Sequence, residues 1–139
     1  MAAAWLLSGN NAVTAGVSLT NSGALDNSGS LSNAGTLTDS ALLINTGTIN
    51  VANCAALQVL SGGYLRNDIT RVIARVAGGS ISGFNPVVVG ESGGASTIAN
   101  FGTIRNPGID AGVLLRAGGR VINGAISSTT ALIVANVGV

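Results

Sequence analysis

Along the first third of the chain, aliphatic residues return every six positions, at Val13, Leu19, Leu25, Leu31, Leu37, Leu43 and Ile49. Two residues before most of them stands a small residue: Gly23, Gly29, Gly35, Ala41 or Gly47. Two residues earlier again stands Asn21, Asn27, Asn33, Asp39 or Asn45. The unit reads Asn-x-Gly-x-Leu-x, relaxed once between Asp39 and Ile44. A Gly-x-Leu triplet predicts a very short strand with Gly and Leu on one face. Asn predicts a corner, because it tolerates left-handed backbone angles and bonds neighbouring amides. So short a strand buries no face alone, whereas stacking one coil on the next does. The pattern therefore predicts an all-β fold, a single-stranded β-solenoid.

Three hexads make a coil of three short strands. Extended over 139 residues, that coil predicts about seven turns and a rod of about 35 Å, at the ~4.8 Å spacing of neighbouring strands. One solenoid spans 1–139, with a cap over 1–12, regular hexads over 13–50 and longer, irregular coils over 51–139. In the cap, Trp5, Leu6 and Leu7 are expected to fold over the first coil as a lid. The later coils keep the vocabulary: Gly62-Gly63-Tyr64-Leu65-Arg66-Asn67 is echoed by Gly78-Gly79-Ser80-Ile81-Ser82-Gly83 and by Gly118-Gly119-Arg120-Val121-Ile122-Asn123. Between Asn67 and Val76 the apolar spacing fits a helical period, but alternation and the Gly-Gly that follows favour a strand.

The hexad register assigns roles. Leu19, Leu25, Leu31, Leu37, Leu43 and Ile49 form the inward ladder. Asn21, Asn27, Asn33, Asp39 and Asn45 form the corner ladder, with Asn27 stacked on Asn45 and Asn21 on Asp39. Leu42 and Ile44 point outward beside Leu43, as a surface for a neighbouring segment or subunit or as the mark of a slightly shifted coil. Thr36 and Thr38 lie over Ser18 and Thr20, with Cys54 and Ala56 expected above them. Rows of Thr-x-Thr are what ice-binding solenoids use, so this face is an alternative candidate surface.

Composition narrows the chemistry. Charged residues are 8% of the chain and aromatics 3%, against roughly 25% charged in an average domain. Small neutral side chains must therefore solubilise the surface. Six Arg are scattered among five acids, which supplies no basic stripe for nucleic acid. No apolar run approaches the ~18 residues of a membrane span, so no membrane insertion of this segment is expected. The first residues, Met1 to Ser8, lack the charged and apolar regions of a signal peptide. Cys54, the sole cysteine, reads as a small buried apolar residue.

With no His in the chain, Ser-His-Asp and Cys-His catalysis and His-based zinc sites are ruled out. Asp26 and Asp39 fall in neighbouring coils at non-equivalent positions, and Asp68, Glu91 and Asp110 are far apart in register. Paired carboxylates of a glycosidase, about 5–10 Å apart, are thus not expected. The Gly-Gly pairs lack the Asp of calcium-binding repeats. The reading is not an enzyme, with no catalytic residue, cofactor or metal; the enzymatic alternative is a carbohydrate-active β-helix.

The segment Ala99-Asn100-Phe101-Gly102-Thr103-Ile104-Arg105-Asn106, with Ile109 to Asn123 after it, resembles the repeats of bacterial autotransporter passengers. The hexads from Asn21 to Ile49 resemble that group and filamentous haemagglutinin-type adhesins. The resemblance covers roughly residues 17–135. It implies a right-handed β-helix, export, and an adhesive role at the bacterial cell surface or in secreted form. A left-handed hexapeptide solenoid is the alternative. A host-surface or carbohydrate ligand is the partner it implies. A second copy is the partner implied by the charge-free C-terminal tail from Ala131 to Val139, which reads as a cut solenoid or an interface.

Overall fold

Each hexad folds as four residues of strand and two of bend. In a computed structural model, which describes residues 4–52, 55–69, 71–75, 86–91, 93–108, 110–125 and 130–135, the described residues are all-β. The strands in chain order are β1 (Ala4–Leu7), β2 (Asn10–Val13), β3 (Ser18–Asn21), β4 (Ala24–Asn27), β5 (Ser30–Asn33), β6 (Thr36–Asp39), β7 (Leu42–Asn45), β8 (Thr48–Val51) and β9 (Ala56–Val59). They continue as β10 (Tyr64–Asn67), β11 (Val72–Arg75), β12 (Val88–Gly90), β13 (Ser96–Asn100), β14 (Thr103–Arg105), β15 (Val113–Leu115), β16 (Gly119–Asn123) and β17 (Leu132–Val134).

Every third strand stacks in parallel. One sheet runs β1-β4-β7-β10-β13-β16, a second β2-β5-β8-β11-β14-β17, and a third β3-β6-β9-β12-β15. The result is a three-faced β-solenoid of about five turns. Backbone N–H and C=O groups are satisfied between turns, along the tube axis.

Side chains alternate between inside and outside, and one residue per strand fills the tube centre. The first sheet contributes Trp5, Leu25, Leu43, Leu65, Ile98 and Val121 in register. The second contributes Asn11, Leu31, Ile49, Ile73, Ile104 and Ile133. The third contributes Leu19, Leu37, Leu57, Val88 and Val113. Leu25, Leu31, Leu37, Leu43 and Ile49 are all at most 1% exposed, and Leu19 packs on them partly buried.

Three expectations from the sequence need correction. The strand is x-Leu-x-Asn, as in Thr36–Asp39, so Gly lies outside it, in the bend. The reason is crowding: a β-carbon on Gly47 would run into the carbonyl of Gly29, and one on Gly29 into the carbonyl of Gly9. Secondly, turn length is not constant. Asn27 reaches Asn45 in 18 residues, but Asn45 to Asn67 takes 22 and Asn67 to Asn100 takes 33, so the same chain makes fewer turns than seven. Lastly, Ala4–Leu7 is not a lid over the tube: it is a strand of the first sheet. Trp5 sits over Leu25 at the inward position and is 56% exposed.

Candidate functional site

Polar chemistry inside this tube is concentrated at the corners. The last residue of each four-residue strand points inward with the aliphatic residue two before it, so Asn at that position is buried rather than solvated. Asn27, Asn45, Asn67 and Asn100 have no exposure at all, and Asn33, Asp39 and Asn21 are also buried. A buried amide without partners would cost free energy, and the corner supplies them.

The five expected corner residues divide into three columns, because consecutive hexads occupy consecutive faces. At the corner between first and second sheets, Asn27 Nδ2 donates to Asn45 Oδ1 at 2.8 Å. Asn45 donates to Asn67 and Asn67 to Asn100, each at 2.8 Å, and Asn100 to Asn123 at 2.7 Å. The same nitrogens also donate to carbonyls where the next turn's second-sheet strand begins: Thr48 from Asn27, Val72 from Asn45, Thr103 from Asn67 and Leu132 from Asn100. Those carbonyl contacts determine which amide atom is nitrogen. At the corner between third and first sheets, Asn21 donates to Asp39 Oδ1 at 2.7 Å. At the remaining corner, Asn33 lies between Val13 and Val51 in register and donates to the Ala56 carbonyl at 3.1 Å.

Beside Ser96 Oγ on β13, three buried oxygens, all at the corners, have no hydrogen-bond partner among the described residues: Asn27 Oδ1, Asn33 Oδ1 and Asp39 Oδ2. Register explains the first two. Leu7 and Val13 occupy the turn before Asn27 and Asn33, where another Asn would have donated. Asp39 is different, since it is an ionisable group in an amide position. Burial raises its pKa, opposed by the bonds from the Asn21 side chain and the Ala41 amide.

Asn67, Asn100 and Asn123 complete the first column and were not singled out as corner residues by the hexad spacing. Their signal was in the sequence, Asn67 and Asn123 as the last residues of Tyr64-Leu65-Arg66-Asn67 and Arg120-Val121-Ile122-Asn123 and Asn100 as the opening of Asn100-Phe101-Gly102-Thr103-Ile104, which repeats the early unit, but the lengthened turns hid which residue stacks on which. Asn106 is a further buried Asn; it donates to the Ala111 carbonyl at 3.0 Å and accepts from the Gly108 amide at 3.0 Å, bracing that loop.

The outer faces carry the remaining candidates. Leu42 and Ile44 lie outward and half-buried on the first sheet, between Ala24 and Asp26 below and Tyr64 and Arg66 above. Thr36 and Thr38 lie over Ser18 and Thr20 on the third sheet. Above them stand Ala56 and Gln58, not Cys54 and Ala56, because that turn is two residues longer than a strict three-hexad coil. Cys54 and the Gly78-Gly79 pair lie outside the described residues. Arg66 pairs with Asp68 at 2.7 Å and stands 5.7 Å over the Phe101 ring, and Arg116 reaches Glu91 at 3.4 Å. Such surface pairs contribute about 0–1 kcal/mol each.

No group of three or more Cys, Asp or Glu side chains that could hold a metal ion occurs among the described residues. The fold and corners define a parallel β-solenoid with internal amide ladders. Comparison with family models, curated proteins and solved structures finds no match.

Proposed function

We propose that this chain is a non-catalytic structural and adhesive segment of a bacterial cell-surface or secreted protein of the autotransporter kind. The observation that carries the reading is the combination of uninterrupted inward rows with a surface of small neutral side chains. A tube cross-braced on every turn transmits position over its length, and repetition offers one face many times, which favours multivalent attachment. The resemblance of the Asn21 to Ile49 hexads and the Ala99 to Asn123 segment to passenger repeats supports the surface location.

The tube is right-handed on this reading. Each return from one strand to its parallel neighbour in the same sheet is a crossover connection, and such connections are right-handed in about 98% of cases. Partners are a host-surface or carbohydrate ligand on the outer faces and a second copy at the strand edges.

The test is retention. Beads densely coated with the chain are expected to hold to immobilised host glycans or matrix far more strongly than sparsely coated beads, with no change in the ligand. Cleavage of a uronate-rich polysaccharide, lost on Asp26→Asn or Asp39→Asn, would replace the reading with a carbohydrate-active one. Ice binding has the Ser18/Thr20 and Thr36/Thr38 rows in its favour, but Ala56 and Gln58 end them; thermal hysteresis would establish it.

A further inference from the structure

Asn123 is the last member of the long asparagine column among the described residues, and it differs from the members before it. Asn27, Asn45, Asn67 and Asn100 are fully buried, each with its nitrogen shared between the next amide and carbonyls. Asn123 is exposed. It accepts from Asn100, but among the described residues its own nitrogen has one long bond, 3.4 Å to the Ala131 carbonyl. Gly124 follows it with φ +85°, and this is the chain's sole Asn-Gly pair.

We propose that Asn123 is a site of spontaneous deamidation, and that the column is built to accept the product. The Gly124 amide nitrogen, on losing its proton, attacks Asn123 Cγ. A C–N bond forms, the side-chain nitrogen leaves as ammonia, and a five-membered succinimide remains. Water then opens the ring at either carbonyl, leaving aspartate or isoaspartate. One water is consumed and one ammonia released, with no change of oxidation state. Glycine is the residue that least hinders this attack, because it carries no β-carbon beside the nitrogen.

In the closed tube the Gly124 amide donates to the Asn100 carbonyl at 2.8 Å, so attack waits on local opening. β16 is the place for it, since among the described residues it has a strand neighbour on one side only, and edge elements open at lower free energy than the core.

The product suits its place. The amides of the column all point the same way, each donating toward the later turn, so the last member has only to accept. A carboxylate accepts more strongly than an amide, and aligned bonds polarise one another toward that end. The neighbouring column already closes in this way, with Asn21 donating to Asp39. Position 123 is exposed where Asp39 is buried, so a charge there stays solvated. It would also place a charge on an edge strand, a device that discourages pairing with another chain.

The experiment incubates the purified chain at mildly alkaline pH, with peptide mapping that separates aspartate from isoaspartate. Asn123 is expected to lose its amide before Asn27, Asn45, Asn67 or Asn100 does so, and Asn123→Gln to abolish the early product. Asn123→Asp is expected to keep the far-UV strand signal and leave the thermal midpoint unchanged or raised. First conversion at a buried Asn, or no conversion at 123 while the free peptide Arg120 to Ala125 converts, overturns the proposed site. A marked fall in midpoint on Asn123→Asp overturns the claim that the column accepts the product.

Discussion

At the residue scale, Asp39 is, among the described residues, the one ionisable group buried in a column of amides. Its Oδ2 has no partner among the described residues, and burial holds its carboxyl above the ordinary value of 3.8. The folded state therefore binds its proton more tightly than the unfolded chain does. Its contribution to stability is fully present below pH 3.8 and is lost as the pH rises through the folded value. Asp39→Asn removes that dependence, keeps an acceptor for Asn21, and supplies a donor where a carboxylate oxygen has no partner. Denaturant melts of both proteins from acid to neutral pH are expected to converge at the acid end and to separate toward neutrality, with Asp39→Asn the more stable. Parallel curves across the series would show that Asp39 ionises freely in the folded state.

At the element scale, the unit is a four-residue strand whose second and fourth residues point in and whose first and third point out. That geometry predicts opposite outcomes for adjacent substitutions in β5. Leu31 is 1% exposed at the tube centre, so Leu31→Asp strands a carboxylate among aliphatic neighbours and costs several kcal/mol. Ser30 lies on the outer face, half-buried, and Ser30→Asp is expected to stay within about 0.5 kcal/mol. Urea unfolding of the two variants distinguishes them, and equal destabilisation would mean that the strand register differs from the one described. Between strands, bends tolerate added length better than strands do, since a longer loop costs little extra closure entropy. This is why the turn from Asn67 to Asn100 can take 33 residues while its strands remain in register.

At the scale of the whole molecule, edges govern behaviour. Among the described residues, β1, β2 and β3 lie at one end of their sheets and β15, β16 and β17 at the other, each with one neighbour. Most of the exposed large apolar side chains among the described residues lie at the same ends, Trp5, Leu6 and Val17 at the first and Leu132 and Val134 at the last, with Tyr64 and Ile69 on the turns between. Unpaired strand edges template further pairing, and the proposal of a second copy as partner rests on this. Sedimentation velocity across a concentration series is expected to show reversible growth of the particle. Val134→Lys places a charge on the outward face of edge strand β17 and should suppress that growth. A monomer throughout, unmoved by Val134→Lys, would remove self-association from the functional reading.

The sequence by itself determined the period, the inward residue of each hexad from Leu19 to Ile49, and the corner position of Asn. It did so because a six-residue repeat of aliphatic, small and amide residues is a local pattern, and each hexad repeats the same local problem. Leu25, Leu31, Leu37, Leu43 and Ile49 were legible for that reason, as was Asn27 beneath Asn45. The same spacing put Val13 in the ladder, whereas register places Asn11 under Leu31 and Val13 at the corner under Asn33. Tertiary structure alone decided how many residues each turn spends outside its strands, and so which residues meet across turns. Asn67, Asn100 and Asn123 join the first column, and Gln58 rather than Cys54 completes the row above Thr36 and Thr38, through pairings 20 to 33 residues apart. Backbone bonding between whole strands sets those pairings, and no spacing within a hexad encodes them. The bend position of glycine has the same origin, because the carbonyl that excludes a β-carbon at Gly47 belongs to Gly29 on the preceding turn.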